Sequence, residues 1–527
     1  MWRGLLLASC MAATVLGAVA QTPGAYSISG IIVDESSRQA IRGARVALVP
    51  SQQSAKERKA LIADANGRFH STNLAPGKYD LFAEAAGYPR QGLNAREQFV
   101  TAVVVGPGKD SDHVVFALRR EARIVGTVTD EAGEPVREAQ VRLFRRTQDG
   151  GEDSVSPSEA AATDDRGIYK IHVAPGEYYM AVMAKPWYSN VYTGQRGPEA
   201  LDLVYPITFY GGATDDKQAS IIVAKAGAQV QADVTLSPVR ASHVRVSTKK
   251  DVNQGVTYLR KLFGTWEGQA EPVFHTTDRG EEVVDLAPGA YLLSVRRASR
   301  PPQDNQPIEL KETAEIPLDV QGDMSIDPDQ FEGQMGRVNG VVQVPGGLGI
   351  GSAITFDGIQ RGQTKAAQIA QDGKFEIELA PGVYRAQIVG ARNARVQQMI
   401  ASGAVTAEGH HIIVGSGAGT IAIAATDQLA TITGVVEEKG RPLSGVMVLL
   451  MPEHGLQEKD LIFRDESDSD GTFTLRNVPE GRYTLVALKN GWEMRWAKPG
   501  VLDPYLRRGV AVELRGSAPR QVTVEAQ

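Results

Sequence analysis

The sequence predicts an all-β protein: a tandem array of about five Ig-like β-sandwich modules behind an export signal. Three observations carry that expectation. The motif Ala-Pro-Gly-x-Tyr recurs at domain-sized intervals, a turn-and-aromatic companion precedes most copies, and no long segment shows helical periodicity. The motif stands at Ala75–Tyr79, Ala174–Tyr178, Ala287–Tyr291 and Ala380–Tyr384, and Val478–Tyr483 is a fifth copy with one inserted residue. Successive tyrosines lie 99, 113, 93 and 99 residues apart, which is the length of a small domain rather than a solenoid turn.

The first 20 residues read as a secretory signal. Arg3 opens it, Leu5 to Leu16 are apolar or small, and Ala18-Val19-Ala20 is an A-x-A cleavage site before Gln21. The apolar run is shorter than the roughly 20 residues a spanning helix needs, so no transmembrane segment is expected in the mature chain. A second reading stays open, since Leu7-Ala8-Ser9-Cys10 resembles a lipoprotein box that would acylate Cys10. Cys10 is the single cysteine, so cleavage after Ala20 removes disulfides, thiolate metal sites and cysteine nucleophiles together. The remaining composition is globular, with 42% apolar residues. A net charge of −6 without basic clusters argues against nucleic acid as a partner.

Within each repeat the order of signals is the same. Gly30-Ile31-Ile32-Val33-Asp34, Gly126-Thr127-Val128-Thr129-Asp130, Gly340-Val341-Val342 and Gly434-Val435-Val436 read as opening strands. Gly67-Arg68-Phe69, Gly167-Ile168-Tyr169, Gly373-Lys374-Phe375 and Gly471-Thr472-Phe473 then stand 11 or 12 residues before the tyrosine, and Gly280 keeps the spacing without an aromatic. We read the Pro-Gly step as a hairpin turn between two strands, with Tyr79, Leu81 and Ala83 and their counterparts on one buried face. Polar Arg145 to Thr163 reads as a long loop. The repeats divide the chain into a signal peptide 1–20 and modules 21–120, 121–239, 240–333, 334–427 and 428–527, the third and fourth being diverged.

The order G-x-V-x-D, G-x-P, T-D-x-x-G-x-[FY] and x-P-G-x-Y resembles the carboxypeptidase regulatory-like module. The second repeat carries it fully, as Gly126–Asp130, Gly133-Glu134-Pro135, Thr163–Gly167 and Ala174–Tyr178. The resemblance implies a transthyretin-like (prealbumin-like) sandwich, grouped with carbohydrate-binding-like folds, in a secreted bacterial accessory protein; fold alone assigns no ligand.

Catalytic and metal motifs are missing from the sequence, and no cofactor is expected. None of the eight histidines begins H-x-x-E or H-E-x-x-H, and His410-His411 would point to opposite faces of a strand. Gly415-Ser416-Gly417-Ala418-Gly419 and Gly347-Leu348-Gly349-Ile350-Gly351 open no helix, so they are neither nucleophile elbows nor phosphate loops, and we read both as turns between strands. The acidic run Asp465–Gly471 has a calcium-loop spacing, yet its twelfth position is Asn477 and sister repeats mark it as a turn. Aromatic residues outside the repeat frame supply the candidate ligand contacts: Trp187, Tyr188 and Tyr192 after the second tyrosine strand, and Trp492, Trp496 and Tyr505 after the fifth. Exposed rings there would stack on sugar faces, which makes polysaccharide binding the leading expectation. The alternative is a spacer or scaffold whose partner is an envelope protein, with the same rings buried between modules. Ring exposure separates the two.

Overall fold

The computed structural model describes residues 26–51, 58–109, 111–189, 201–247, 254–263, 265–269, 273–276, 281–298, 310–331, 334–349, 351–359, 364–390, 394–409 and 411–527. The export signal, Cys10 and Tyr192 lie outside the described residues. The fold is all-β, as expected, with one four-residue α-helix, Asp503–Leu506, among the described residues.

The first module shows how the alternating sequence makes a sandwich. Tyr26–Asp34 is flanked by antiparallel Arg68–Leu74 and parallel Val114–Leu118. In the facing sheet, Arg45–Pro50 runs between Lys59–Ile62 and Gly77–Ala85. Successive side chains point to opposite faces, so Ile28, Ile32, Phe69 and Leu74 meet Val46, Leu48, Tyr79 and Leu81 in one core. The second and fifth modules repeat this order around Ala122–Thr129 and Leu429–Glu438, each with a core of its own. The third pairs Ser242–Ser247 antiparallel with Glu281–Leu286 and parallel with Met324–Ile326.

The Pro-Gly motif is not a hairpin. Arg68–Leu74 and Gly77–Ala85 belong to different sheets, and the same holds for Ile168–Val173 with Gly176–Met183. The motif is the corner where the chain crosses the sandwich, and the tyrosine closes it. Each hydroxyl donates to the carbonyl four residues upstream: Tyr79 to Ala75 (3.0 Å), Tyr178 to Ala174 (2.6 Å), Tyr291 to Ala287 (2.8 Å), Tyr384 to Ala380 (2.7 Å) and Tyr483 to Pro479 (3.0 Å). The fifth copy keeps the i−4 spacing because Pro479, rather than an alanine, supplies the carbonyl.

Three further expectations change. Arg145 to Thr163 is largely strand: Gln140–Asp149 and Glu152–Ala162 form a long hairpin, turned by Gly150 and Gly151 at φ 60° and 78°. Its polarity reflects a solvated edge, and no buried face was there to mark it. Gly415–Gly419 is not a turn but the middle of the 16-residue strand His411–Thr426. That strand pairs first with Gly382–Val389 and then with Gly336–Gln343, so the fourth module is one continuous seven-stranded sheet rather than two. Glycines where a strand passes between layers remove the β-carbons that would obstruct the bend. The acidic run Asp465–Gly471 ends the strand Phe463–Glu466 and turns into Thr472–Pro479 of the other sheet, so it is a heavily engaged crossing rather than the hairpin turn expected.

The outer face of the second module's sheet is covered by the third module. Phe263 enters the second module's outer face, stacked on Tyr179 at 4.6 Å and tilted to Phe144 at 5.1 Å. Asp34 accepts from Tyr88 Oη (2.7 Å) and from Arg120 Nε (2.7 Å) at the boundary of modules one and two. That arginine bond, with those of Ser36 and Ser37, holds the Asp34 carboxyl far below the carboxylate range.

Candidate functional site

The candidate rings follow the tyrosine strands Gly176–Met183 and Gly481–Leu488, and they meet two different fates. In the fifth module, residues 489–509 fold back over the outer face of the sheet Met447–Pro452 and Gly481–Leu488. Met447, Leu449, Val486 and Leu488 point outward there and bury Trp496, Ala497 and Leu502. Trp496 is only 4% exposed. Arg464 lies 5.4 Å from its ring, and a β-carbon added to Gly151 of the second module would fall 2.7 Å from it. Trp492 is half-buried; its Nε1 donates to Gly445 O at 3.3 Å and its ring meets Phe99 of the first module at 5.2 Å. Tyr505 is half-buried in the short helix against the same cluster. Of the two readings left open for these rings, the packed one describes Trp496, and Trp492 and Tyr505 in part. The outer sheet face is apolar, and these residues cover it.

In the second module one ring stays open. Trp187 is 82% exposed, with Tyr188 set edge-on to it at 5.6 Å. Tyr188 donates to Glu131 Oε1, and Tyr205 reaches Glu131 Oε2 at 3.3 Å. Burial and that hydrogen bond to Glu131 raise the Tyr188 phenol above its ordinary pKa, so the bond is made by the neutral hydroxyl. Trp187, Lys185, Tyr205, Glu134, Arg137 and Glu138 line a groove of 620 Å³. A fixed aromatic platform beside charged donors and acceptors is a chemistry that suits a sugar ring.

Two clusters escaped sequence reading. Asp202, His243 and Asp285 bring their donor atoms within 4.8 Å of one another, the one potential metal-holding group among the described residues. Nδ1 of His243 faces Asp285 Oδ1 at 2.7 Å and Nε2 faces Asp202 Oδ2 at 2.9 Å. Each nitrogen serves a different carboxylate, which is the arrangement of an imidazolium between two anions. Burial opposes the charged ring, but the bonds to Asp285 and Asp202 outweigh it and raise the pKa. No spacing rule could have found this group, whose members come from residues 202, 243 and 285.

The second cluster joins the ends of the array. The acidic turn of the fifth module plugs into the first: Asp468 meets Lys78 Nζ, Glu466 accepts from Thr101 Oγ1, and Asp470 pairs with Lys109 at 2.6 Å. Ser469 N donates to Ala102 O at 3.0 Å, and Val104 N returns a bond to Ser469 Oγ at 2.9 Å. Nearby, Arg464 pairs with Glu97 at 2.7 Å. The fifth module also touches the second through Arg495 and Asp153 at 3.2 Å, and the fourth through Asp460 and Arg385 at 3.0 Å.

These features define a class, a tandem β-sandwich protein with corner tyrosines and packed intermodule joints. More particularly, residues 27–119 and 123–247 match the carboxypeptidase regulatory-like domain, two matches in tandem. No curated protein sequence matches the chain. Among solved structures, similarity is found to the Bacillus anthracis TIE protein at 9% identity, covering 96% of this chain and 75% of that one, with a TM-score of 0.17. The minor pilin GBS52 of Streptococcus agalactiae matches at 10% identity over 41% and 97% of the two chains, with a TM-score of 0.23. The major pilin subunit BcpA of Bacillus cereus matches at 12% identity over 77% and 99%, with a TM-score of 0.14. These scores mark no shared overall arrangement and assign no role. No helix among the described residues is long and apolar enough to cross a membrane.

Proposed function

We propose that the chain is a non-catalytic, exported scaffold whose modules are locked to one another, rather than strung as free spacers. The observation that carries this reading is the engagement of the fifth module with its neighbours: Trp492 meets the first module and Trp496 the second, both residues the sequence offered as ligand contacts, and Asp460 pairs with Arg385 of the fourth. An envelope protein is the natural partner class for such a body, and the export signal read from residues 1–20 supports an extracytoplasmic site of action. Small-angle scattering of the mature chain tests it. A compact particle is expected, expanding when Glu466 and Asp468 are both replaced by lysine. An extended particle indifferent to that double change would overturn the scaffold reading.

One observation favours a second activity on the same body. The open ring of Trp187 above its charged groove supports polysaccharide contact at the second module. A glycan screen of wild type and Trp187→Ala tests it: ligand capture should fall at least tenfold in the variant. Equal capture by both proteins would remove Trp187 from the account.

A further inference from the structure

The joint between the fourth and fifth modules contains a concave site that neither reading uses. Its volume is 380 Å³, within the range of small-ligand pockets, and its lining includes Gln387, Ile388, Arg395, Val396, Asp460 and Leu461. Strands and a 3-10 helix build it. Gly382–Val389 supplies Gln387 and Ile388, Arg395–Glu408 begins with the arginine, and the 3-10 helix Gly455–Leu461 brings Asp460 and Leu461.

Arg395 and Asp460 are the charged side chains of its lining. Asp460 is paired with Arg385, which does not line the groove and whose Nε lies 3.0 Å from the Asp460 Oδ1. Among the described residues no carboxylate is paired with Arg395, whose guanidinium carbon lies 5.0 Å from the Phe463 ring centroid. With Asp460 held by Arg385, the Arg395 guanidinium is the cation left in the wall of the groove. Half-burial already disfavours the charged arginine, and burial pulls its pKa below the ordinary value despite Asp460. A desolvated guanidinium gains most from a ligand that offers two oxygens in its plane.

We propose that this groove binds a carboxylate-bearing ligand with Arg395 as its anion anchor. Gln387, exposed beside it, is placed to bond a neighbouring hydroxyl, while Ile388, Val396 and Leu461 give the ligand's carbon skeleton an apolar wall. The volume and the mixture of apolar wall, amide and guanidinium fit one or two acidic sugar rings, and they equally admit a free small carboxylate. A phosphate, smaller and without carbon, would leave the apolar wall unused.

Titration calorimetry on the mature chain tests the assignment, with trigalacturonate, galacturonate, the neutral trisaccharide of galactose and inorganic phosphate as probes. Binding of trigalacturonate is expected, with at least tenfold weaker binding of the neutral trisaccharide and of phosphate. Tight binding of monomeric galacturonate would identify a free carboxylate as the source, and trimer-selective binding a polymer. Arg395→Ala should weaken the interaction at least tenfold. Arg395→Lys, which keeps the charge and spares the joint, should restore part of it; Gln387→Ala should cost a few-fold. Thermal melts that match wild type establish that each variant is folded. Failure of every carboxylate to bind wild type, or binding unchanged in folded Arg395→Ala, overturns the proposal. Neither outcome touches the scaffold reading, which scattering tests, or the Trp187 groove, which lies in another module.

Discussion

A tyrosine that donates to the carbonyl four residues behind it does two things at once. It fills the core with a large ring and satisfies a backbone oxygen that the sheet-to-sheet crossing would leave without a ladder partner. Tyr178 is the deepest-packed of the corners, with its hydroxyl 2.6 Å from Ala174 O. Replacing it with phenylalanine keeps the ring and strands the carbonyl, so Tyr178→Phe should destabilise the module by about 1 kcal/mol in urea unfolding. The tryptophans separate more sharply. Trp496 is enclosed and Trp187 is open. Trp496→Ala should therefore cost about 3–5 kcal/mol, whereas Trp187→Ala should stay within about 0.5 kcal/mol. Equal costs in denaturation would mean that the joint around Trp496 is not formed.

At the scale of elements, the sheets follow from alternation, and so most strands were legible. Tyr79, Leu81 and Ala83 announce a buried face by their period of two. What alternation does not encode is which sheet a strand joins. Arg68–Leu74 and Gly77–Ala85 look like a hairpin because a Pro-Gly step separates them, and only their partners reveal a crossing. The outer part of the hairpin, from Arg145 to Ala162, hid for the opposite reason, since the exposed edge strand Glu152–Ala162 has no apolar face to display. Its turn residues Asp149-Gly150-Gly151 were the readable signal. The ring residues were legible as unusual, but their exposure was not, because Trp496 is buried on the outward side of its own sheet and both rings also meet other modules, Trp492 at Phe99 and Trp496 at Gly151. Gly151 also joins the two scales. It holds φ +78°, and an added β-carbon would meet the Trp496 ring and Ala497 N. Gly151→Ala should strain the turn and lift the hairpin from the fifth module. Hydrogen exchange checks this: amides of Glu152–Ala162 should lose protection in the variant while those of Ala122–Thr129 keep theirs.

At the scale of the whole molecule, the closure of module five on module one is acid-sensitive, with a sign that follows from its buried carboxyls. Burial pushes Asp468 up to about 6 and outweighs its pairing with Lys78; burial also raises Glu466, against Thr101 and Arg96. Lys78, Thr101 and Arg96 all come from the first module, so this burial belongs to the docked state. Separated from module one, Asp468 would return toward its ordinary value of 3.8. The docked form then holds a proton that the separated form releases between those two values. Docking should tighten as pH falls through about 6 and stay level above it. Asp470 acts oppositely: bonds from Lys109 and Thr472 hold it below its ordinary value despite burial, so its loss on acidification begins only beneath that range. The amides of Ala102 and Val104, which donate to Asp468 Oδ1 and Ser469 Oγ across the joint, report the effect directly. Corrected for intrinsic exchange, their protection should be greater near pH 5 than near pH 7.5. In Asp468→Asn the difference should shrink, because the substituted amide does not titrate. Greater protection at the higher pH in wild type would mean that the lysine and arginine pairs, rather than desolvation, govern the joint.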